Sequence, residues 1–145
     1  RQIRTQVIPA DAAADSILSQ WSNQAQTVLV DAPCSGLGTL RRAPDLLWRF
    51  DTAHLPEITS LQGTLLGRFA PLVRRGGFLV YGTSSVLTAE NQDVVHKFLT
   101  QHPDFEVVPA SSRLPDDLCA GDFLSLSPQQ HNTDGFFGAL LRKKT

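Results

Sequence analysis

Thr27-Val-Leu-Val-Asp31-Ala-Pro-Cys34-Ser-Gly36-Leu-Gly38-Thr-Leu-Arg41-Arg42-Ala-Pro44-Asp45 is the stretch whose reading decides the fold. A short apolar run ends in a carboxylate and breaks into a loop holding a proline, a cysteine and two glycines. Strands buried on both faces of a parallel sheet read as such continuous runs, and an α/β sheet presents its reactive groups beyond their carboxyl ends. Val28, Leu29 and Val30 are therefore read as core, with Asp31 at the strand end and Cys34 just past it. A carboxylate and a thiol that close together mark a candidate site.

Downstream, apolar residues recur every three or four positions through Leu55, Ile58, Leu61, Leu65, Phe69 and Leu72, which predicts a helix over 52–75. Asp51 or Thr52 opens it, Gly76-Gly77 closes it, and His54 near its start faces solvent. A second apolar run, Phe78-Leu-Val-Tyr81, follows and exits through Gly82-Thr83-Ser84-Ser85. Thr88-Ala-Glu90-Asn91 then starts a helix through Val94, Val95, Phe98 and Leu99. Strand, helix, strand makes a βαβ unit, whose right-handed crossover puts both strand exits on one sheet edge. If the strands are neighbours, Asp31 to Cys34 and Thr83 to Ser85 flank one cleft.

Upstream, Gln6-Val-Ile-Pro9 reads as a strand end. Asp11 or Asp15 is a candidate cap for a helix carrying Ile17, Leu18 and Trp21. Asp11 also stands where an acidic group would meet a ligand at the sheet edge. Near the carboxyl end, Phe105-Glu-Val-Val108 and Phe136 to Arg142 read as strands, and the Asp134-Gly135 turn suits an antiparallel return. Together they predict a hairpin closing the sheet edge. Gly36 and Gly38 lack the spacing of a dinucleotide fingerprint and the lysine of a P-loop, so they are read as allowing a tight backbone path beside a substrate. Trp48, with Leu46 and Leu47, is read as a core anchor. Arg41 and Arg42 are either a solvated surface pair or a grip on phosphate.

The 145 residues are 41% hydrophobic with a net charge of -1, which suits one globular unit with a core of its own. No apolar run approaches a membrane span, and no leader pattern opens the chain. The near-neutral balance gives no bulk attraction to nucleic acid, so RNA contacts must be local or lie elsewhere. Cys34 and Cys119 read as reduced thiols of a cytoplasmic protein rather than a lone disulfide. No metal-ligand set is read. The opening Arg1-Gln2-Ile3 is already strand-like, which reads as an excised piece of a longer protein; 1–145 shows no repeat and no second domain.

Asp31-Ala-Pro-Cys34-Ser-Gly-Leu-Gly38 with Arg41-Arg42-x-Pro44-Asp45, then Tyr81-Gly-Thr83-Ser84-Ser85 with Glu90-Asn91, then Asp134-Gly-Phe-Phe137 together resemble the RNA cytosine-5 methyltransferases of the Sun/RsmB class. The similarity runs in order over essentially the whole chain. It implies a Rossmann-like, S-adenosylmethionine-dependent methyltransferase fold in the α/β class, with 1–145 as the carboxyl-terminal part of one catalytic domain. The family's glycine-rich cofactor loop and the RNA-binding amino-terminal portion then precede Arg1, so the fragment binds cofactor weakly or not at all. The implied substrate of the parent, a monomer, is 16S rRNA.

In that family a cysteine in the Pro-Cys block and another in a Thr-Cys block act on the base. The first maps to Cys34, expected to help release the covalent adduct. The second, the nucleophile that attacks C6 of cytosine, maps to Ser84. Asp31 corresponds to the aspartate near the methyl donor and the cytosine ring, and Asp11 to an acid on the cofactor's adenine side. Pro33, Arg41 and Arg42 are the implied RNA contacts. A thiol titrating near ~8.5 supplies thiolate at neutral pH, whereas a serine hydroxyl is a far weaker acid. The resemblance thus implies a chain inactive as it stands, whether the serine is natural or introduced. Cys34 acting as nucleophile would imitate the DNA cytosine methyltransferases. Two other classes stay open: a non-catalytic RNA-binding or ribosome-assembly module, and a thiol hydrolase drawing on His54, His96, His102 or His131.

Overall fold

A computed structural model describes residues 13–145, so Asp11 and the strand expected at 6–9 lie outside the described residues. Helix α1 (Ala13–Ser19) leads to strand β1 (Ala25–Asp31), a short helix α2 (Leu46–Arg49) and the long helix α3 (Leu55–Phe69). Strand β2 (Val73–Thr83), helix α4 (Gln92–Gln101) and strand β3 (Phe105–Val108) follow. Strands β4 (Cys119–Ala120) and β5 (Phe123–Leu126), helix α5 (Pro128–His131) and strand β6 (Phe136–Lys143) complete the described chain. Asp15 lies inside α1, not at its cap, and Trp21 lies beyond it, 47% exposed.

The sheet is mixed, in the order β1-β2-β6-β5-β4, with β3 also pairing β6. β1 and β2 are parallel, joined through α3 as the βαβ reading requires. β6 runs antiparallel to β2 on one side and to β3 and β5 on the other. The expected hairpin is present as β3 and β6, with β6 inside the sheet and β3 and β5 outside it.

Cross-strand pairs build the core: Leu79 faces Leu141 and Tyr81 faces Ala139. These join Val30, Leu66 of α3 and Val95 and Phe98 of α4 in one cluster. Complete burial of a side chain like Leu66 is worth about 1.5–3 kcal/mol against exposure. Leu29 departs from the expected core, being 68% exposed. Val28 and Val30 point to the face that packs on this cluster, and Leu29, one residue out of phase, points to the other. Leu61 is likewise 47% exposed, while Leu66 is fully buried in its stead.

The long helix also ends earlier than its apolar spacing suggests. α3 stops at Phe69 and tightens into a single 3-10 turn, Ala70–Leu72. Pro71 has no N–H to continue the helical ladder, and this ends it. Gly76 and Gly77 do not close the helix; they form a bulge inside β2. The pairing jumps from Ala25–Val73 to Thr27–Phe78, and Gly76 takes a left-handed φ of 69°. Asp51 opens the segment as expected, its carboxylate accepting the Ala53 N–H at 2.9 Å.

Candidate active site

The two strand exits meet. Asp31 is paired in register with Gly82, and the Ala32 N–H donates to the Gly82 carbonyl at 3.0 Å. Beyond that point the Gly38 N–H donates to the Ser84 carbonyl at 2.8 Å, and the Gly135 N–H donates to the Gly38 carbonyl at 2.8 Å. Three loops, after β1, after β2 and before β6, therefore cross at one backbone junction. A Cβ on Gly38 would lie 2.2 Å from the Gly135 carbonyl oxygen and 2.7 Å from that of Ser84. Gly38 is thus reserved for protein backbone, not for a substrate. Gly36 supplies the turn, with φ of 74°.

Under the junction lies a polar network that the sequence did not disclose. Glu90 is completely buried. Its Oε2 accepts the Ser35 N–H at 2.8 Å and the Gln62 amide at 3.1 Å. Its Oε1 accepts the Ser35 hydroxyl at 2.5 Å and the Ser85 hydroxyl at 2.6 Å. Gln62 also donates to the Pro33 carbonyl at 3.0 Å, and the Tyr81 hydroxyl donates to the Glu90 carbonyl at 2.6 Å. Burial and the nearby Glu90 charge push the Tyr81 phenol well above its ordinary range. On the β2 side, Thr83 donates to Asn91 at 2.6 Å and Asn91 donates to the Ser85 carbonyl at 3.0 Å. Gln62 was detectable in principle: it interrupts the apolar face of α3 four residues after Ile58 and four before Leu66. Glu90 was not, because an acid at a helix start reads as a partner of the dipole.

Asp31, Cys34 and Ser84 come together at this edge. Asp31 is exposed at the strand end; Cys34 and Ser84 are half-buried. No hydrogen bond of the Ser84 hydroxyl forms among the described residues. Cys34 is a free thiol lining a hollow of about 250 Å³ with Leu46, Arg49, Phe50, Asp51 and His54. Burial pushes its thiol up; backbone N–H groups of Gly36 and Ser84 pull it down, and the charges of Glu90 and Asp31 push it up again, with a net rise. Iodoacetamide should therefore modify Cys34 slowly at pH 7, with the rate still climbing above the ordinary thiol midpoint of about 8.5. A midpoint at or below that value would contradict the site as described. Cys119 is half-buried as well, its thiol donating to the Pro115 carbonyl at 3.3 Å, so exposure alone does not set the two thiols apart.

Arg41 and Arg42 both reach the loop before β6. Arg41 donates to the Asn132 carbonyl at 2.9 Å and to its side chain at 3.1 Å. Arg42 pairs with Asp134 at 2.6 Å and stays 67% exposed. Pro33 is exposed between Asp31 and Cys34. Trp48 overturns its reading as a core anchor: it is 92% exposed, and Leu47 is 63% exposed. Helix α2 is one turn long, and it turns Leu46 and Arg49, not Leu47 or Trp48, to the Cys34 hollow. Of the histidines, only His54, exposed as expected, lines that hollow. His102 stacks on Phe98, His96 packs on Phe123, and His131 Nδ1 accepts the Ser127 N–H at 3.0 Å. A larger groove of about 730 Å³ lies between α3 and α4 and holds none of Asp31, Cys34 or Ser84.

The family model described as 16S rRNA methyltransferase RsmB/F matches residues 2–142. The probable ribosomal RNA small subunit methyltransferase B of Bacillus subtilis (strain 168) is 39% identical over 127 residues, which are 85% of this chain and 28% of that protein. The crystal structure of PH0851 is 38% identical, with a TM-score of 0.78 over 84% of this chain and 27% of its own. NSun6 from Pyrococcus horikoshii, solved with SFG, is 28% identical, with a TM-score of 0.63 over 81% of this chain and 29% of its own. The chain spans less than a third of the length of each of these relatives.

Proposed function

The chain belongs to the 16S rRNA methyltransferase RsmB/F family, and from that premise we propose that it is the carboxyl-terminal portion of a catalytic domain that methylates carbon 5 of a cytosine in 16S rRNA. Its fold is the Rossmann-like fold of such methyltransferases. The observation that carries the proposal is the joining of the Cys34 loop to the Ser84 loop at the exits of two adjacent parallel strands, through Gly38 N–H and Ser84 carbonyl.

Carbon 5 of cytosine is a poor nucleophile until a group adds at C6 and pushes electron density towards it. In the proposed reaction a thiolate at position 84 forms that bond, and C5 then takes the methyl group. Loss of the C5 proton to a base breaks the C6–S bond and returns the thiolate. S-adenosylmethionine, when bound, supplies the electrophilic methyl group. Asp31 fits such a cationic donor: its carboxylate is exposed and has no hydrogen-bond partner among the described residues. Asp11, outside those residues, is assigned to the adenine side. The remaining contacts belong to the rest of the domain, so the fragment alone binds the cofactor weakly.

With Ser84 at the adding position the first step lacks its nucleophile. Cys34 is a poor replacement, because its site favours the neutral thiol; its part in this reading is to handle the proton as the adduct is released. Pro33, Arg41 and Arg42 contact RNA. Trp48 joins them as an exposed ring one residue before Arg49 of the Cys34 hollow, able to stack a base beside a flipped-out target. Stacking of this kind is worth about 1–3 kcal/mol per base. Trp48→Ala should accordingly weaken binding of a 16S rRNA fragment, read by fluorescence anisotropy. Unchanged affinity would remove Trp48 from the RNA surface.

Labelled methyl transfer to 16S rRNA by the full-length protein, with Ser84 and with Ser84→Cys, tests the whole reading. 5-Methylcytosine in the digested product of the cysteine form is expected. Methylation of another atom would overturn the cytosine assignment. Ser84 itself favours a second reading, a non-catalytic RNA-binding or ribosome-assembly module. RNA binding without transfer by either form would establish that one.

A further inference from the structure

The network beneath the junction has a member that neither strand supplies. Glu90 follows the Ser84 loop and precedes α4, yet its carboxylate is the common acceptor of both loops. Ser35, next to Cys34, gives it a backbone N–H and a hydroxyl; Ser85, next to Ser84, gives it a hydroxyl. The two serine hydroxyls also lie 3.3 Å apart. No cation pairs with this carboxylate among the described residues, so hydrogen bonds alone compensate its burial. An uncompensated buried carboxylate is costly enough that a fold keeps one only with such a complete donor set.

We propose that Glu90 is a positioning residue, clamping the Cys34 loop to the position-84 loop and so fixing the two reactive side chains relative to each other. The inference rests on the assignment of Cys34 and position 84 as the reacting pair, and deepens it. Ser35 on one loop and Ser85 on the other are held by the same carboxylate, so a shift of either loop must break bonds to a buried charge. The charge also lies close enough to Cys34 to oppose its ionisation, which gives the clamp a chemical reporter.

The donor set allows the clamp and the charge to be separated. Oε2 receives two groups that can only donate, the Ser35 N–H and the Gln62 amide. Oε1 receives two hydroxyls, which can accept as well as donate. Glu90→Gln can therefore keep its carbonyl at the Oε2 position and turn its NH₂ towards the serines, preserving the clamp without the charge. Glu90→Ala removes both.

The test uses the full-length protein, with hydrogen exchange and Cys34 alkylation read peptide by peptide. Glu90→Ala should speed exchange of the Ser35 amide by about tenfold or more while the β1 amides Val28 to Val30 stay as slow as before. Glu90→Gln should restore the slow Ser35 amide, and should move the Cys34 alkylation midpoint to lower pH, raising the rate at pH 8 by about threefold. Unchanged Ser35 exchange in Glu90→Ala, or an equal loss of protection across β1, would overturn the clamp. Fast Ser35 exchange in a folded Glu90→Gln, which can keep every bond of the clamp, would overturn it too, and decides the matter where Glu90→Ala does not fold. None of these readouts depends on methyl transfer, so they separate a failed clamp from a failed functional assignment.

Discussion

In the full-length protein, Ser84→Cys should raise methyl transfer to 16S rRNA by about three orders of magnitude or more over the serine form. The size follows from the chemistry of the adding atom: a thiol near pH 8.5 is partly ionised in neutral solution, and a hydroxyl is not. The surroundings of position 84 make the exchange feasible. Its carbonyl is held by Gly38, its side chain is half-buried, and its hydroxyl has no partner to lose among the described residues. Sulfur therefore replaces oxygen without breaking a bond. Initial rates with saturating rRNA, under reducing conditions that keep Cys34 and the new thiol apart, measure the effect. Equal rates for the two forms would transfer the nucleophile's role to Cys34, and Cys34→Ala would then have to abolish the activity.

Gly38→Ala should be the most damaging single-methyl change in the described chain, costing more than about 3 kcal/mol. The added carbon meets two backbone oxygens, at 2.2 and 2.7 Å, and neither can swing aside as a side chain would. The Ser84 oxygen accepts the Gly38 N–H, and Gly135 is held in place through its own N–H, which donates to the Gly38 carbonyl. Gly63 provides the opposite case. It lies inside α3 with nothing within 4 Å of a new Cβ, so Gly63→Ala should stabilise by about 0.5–1 kcal/mol. Urea midpoints of the two variants should move in opposite directions. A Gly38→Ala protein as stable as the parent would mean that the three loops do not cross where described.

The βαβ unit and its two exits were legible because β1 and β2 are apolar runs ending in small polar loops, and crossover handedness does the rest. Asp31, Cys34 and Ser84 fell on one edge for the same reason. Gly76-Gly77 misled because a helix end and a β-bulge both recruit glycine for its left-handed backbone; Pro71, five residues earlier, held the deciding information. Leu29 misled because a run of three apolar residues looks the same whether one face or both are covered. Trp48 followed the rule that large aromatics anchor cores, and a one-turn helix is too short to obey it. Glu90 was hidden for a deeper reason: its donors are Ser35, Gln62 and Ser85, which only the folded sheet brings to it.

The position of β6 bears on how the site comes into being during synthesis. A ribosome delivers β1, α3, β2 and α4 first, and these can pair and pack while the rest is still being made. β6, the last described strand, must then enter between β2 and the β3 and β5 strands already released. Gly135, immediately before it, supplies the last arm of the junction that Gly38 and Ser84 begin. Contacts this distant along the chain form late, since their closure entropy must be met before they stabilise anything. The nascent chain therefore has both strand exits in place before it has a finished edge, and the three-loop junction waits for β6 to thread home.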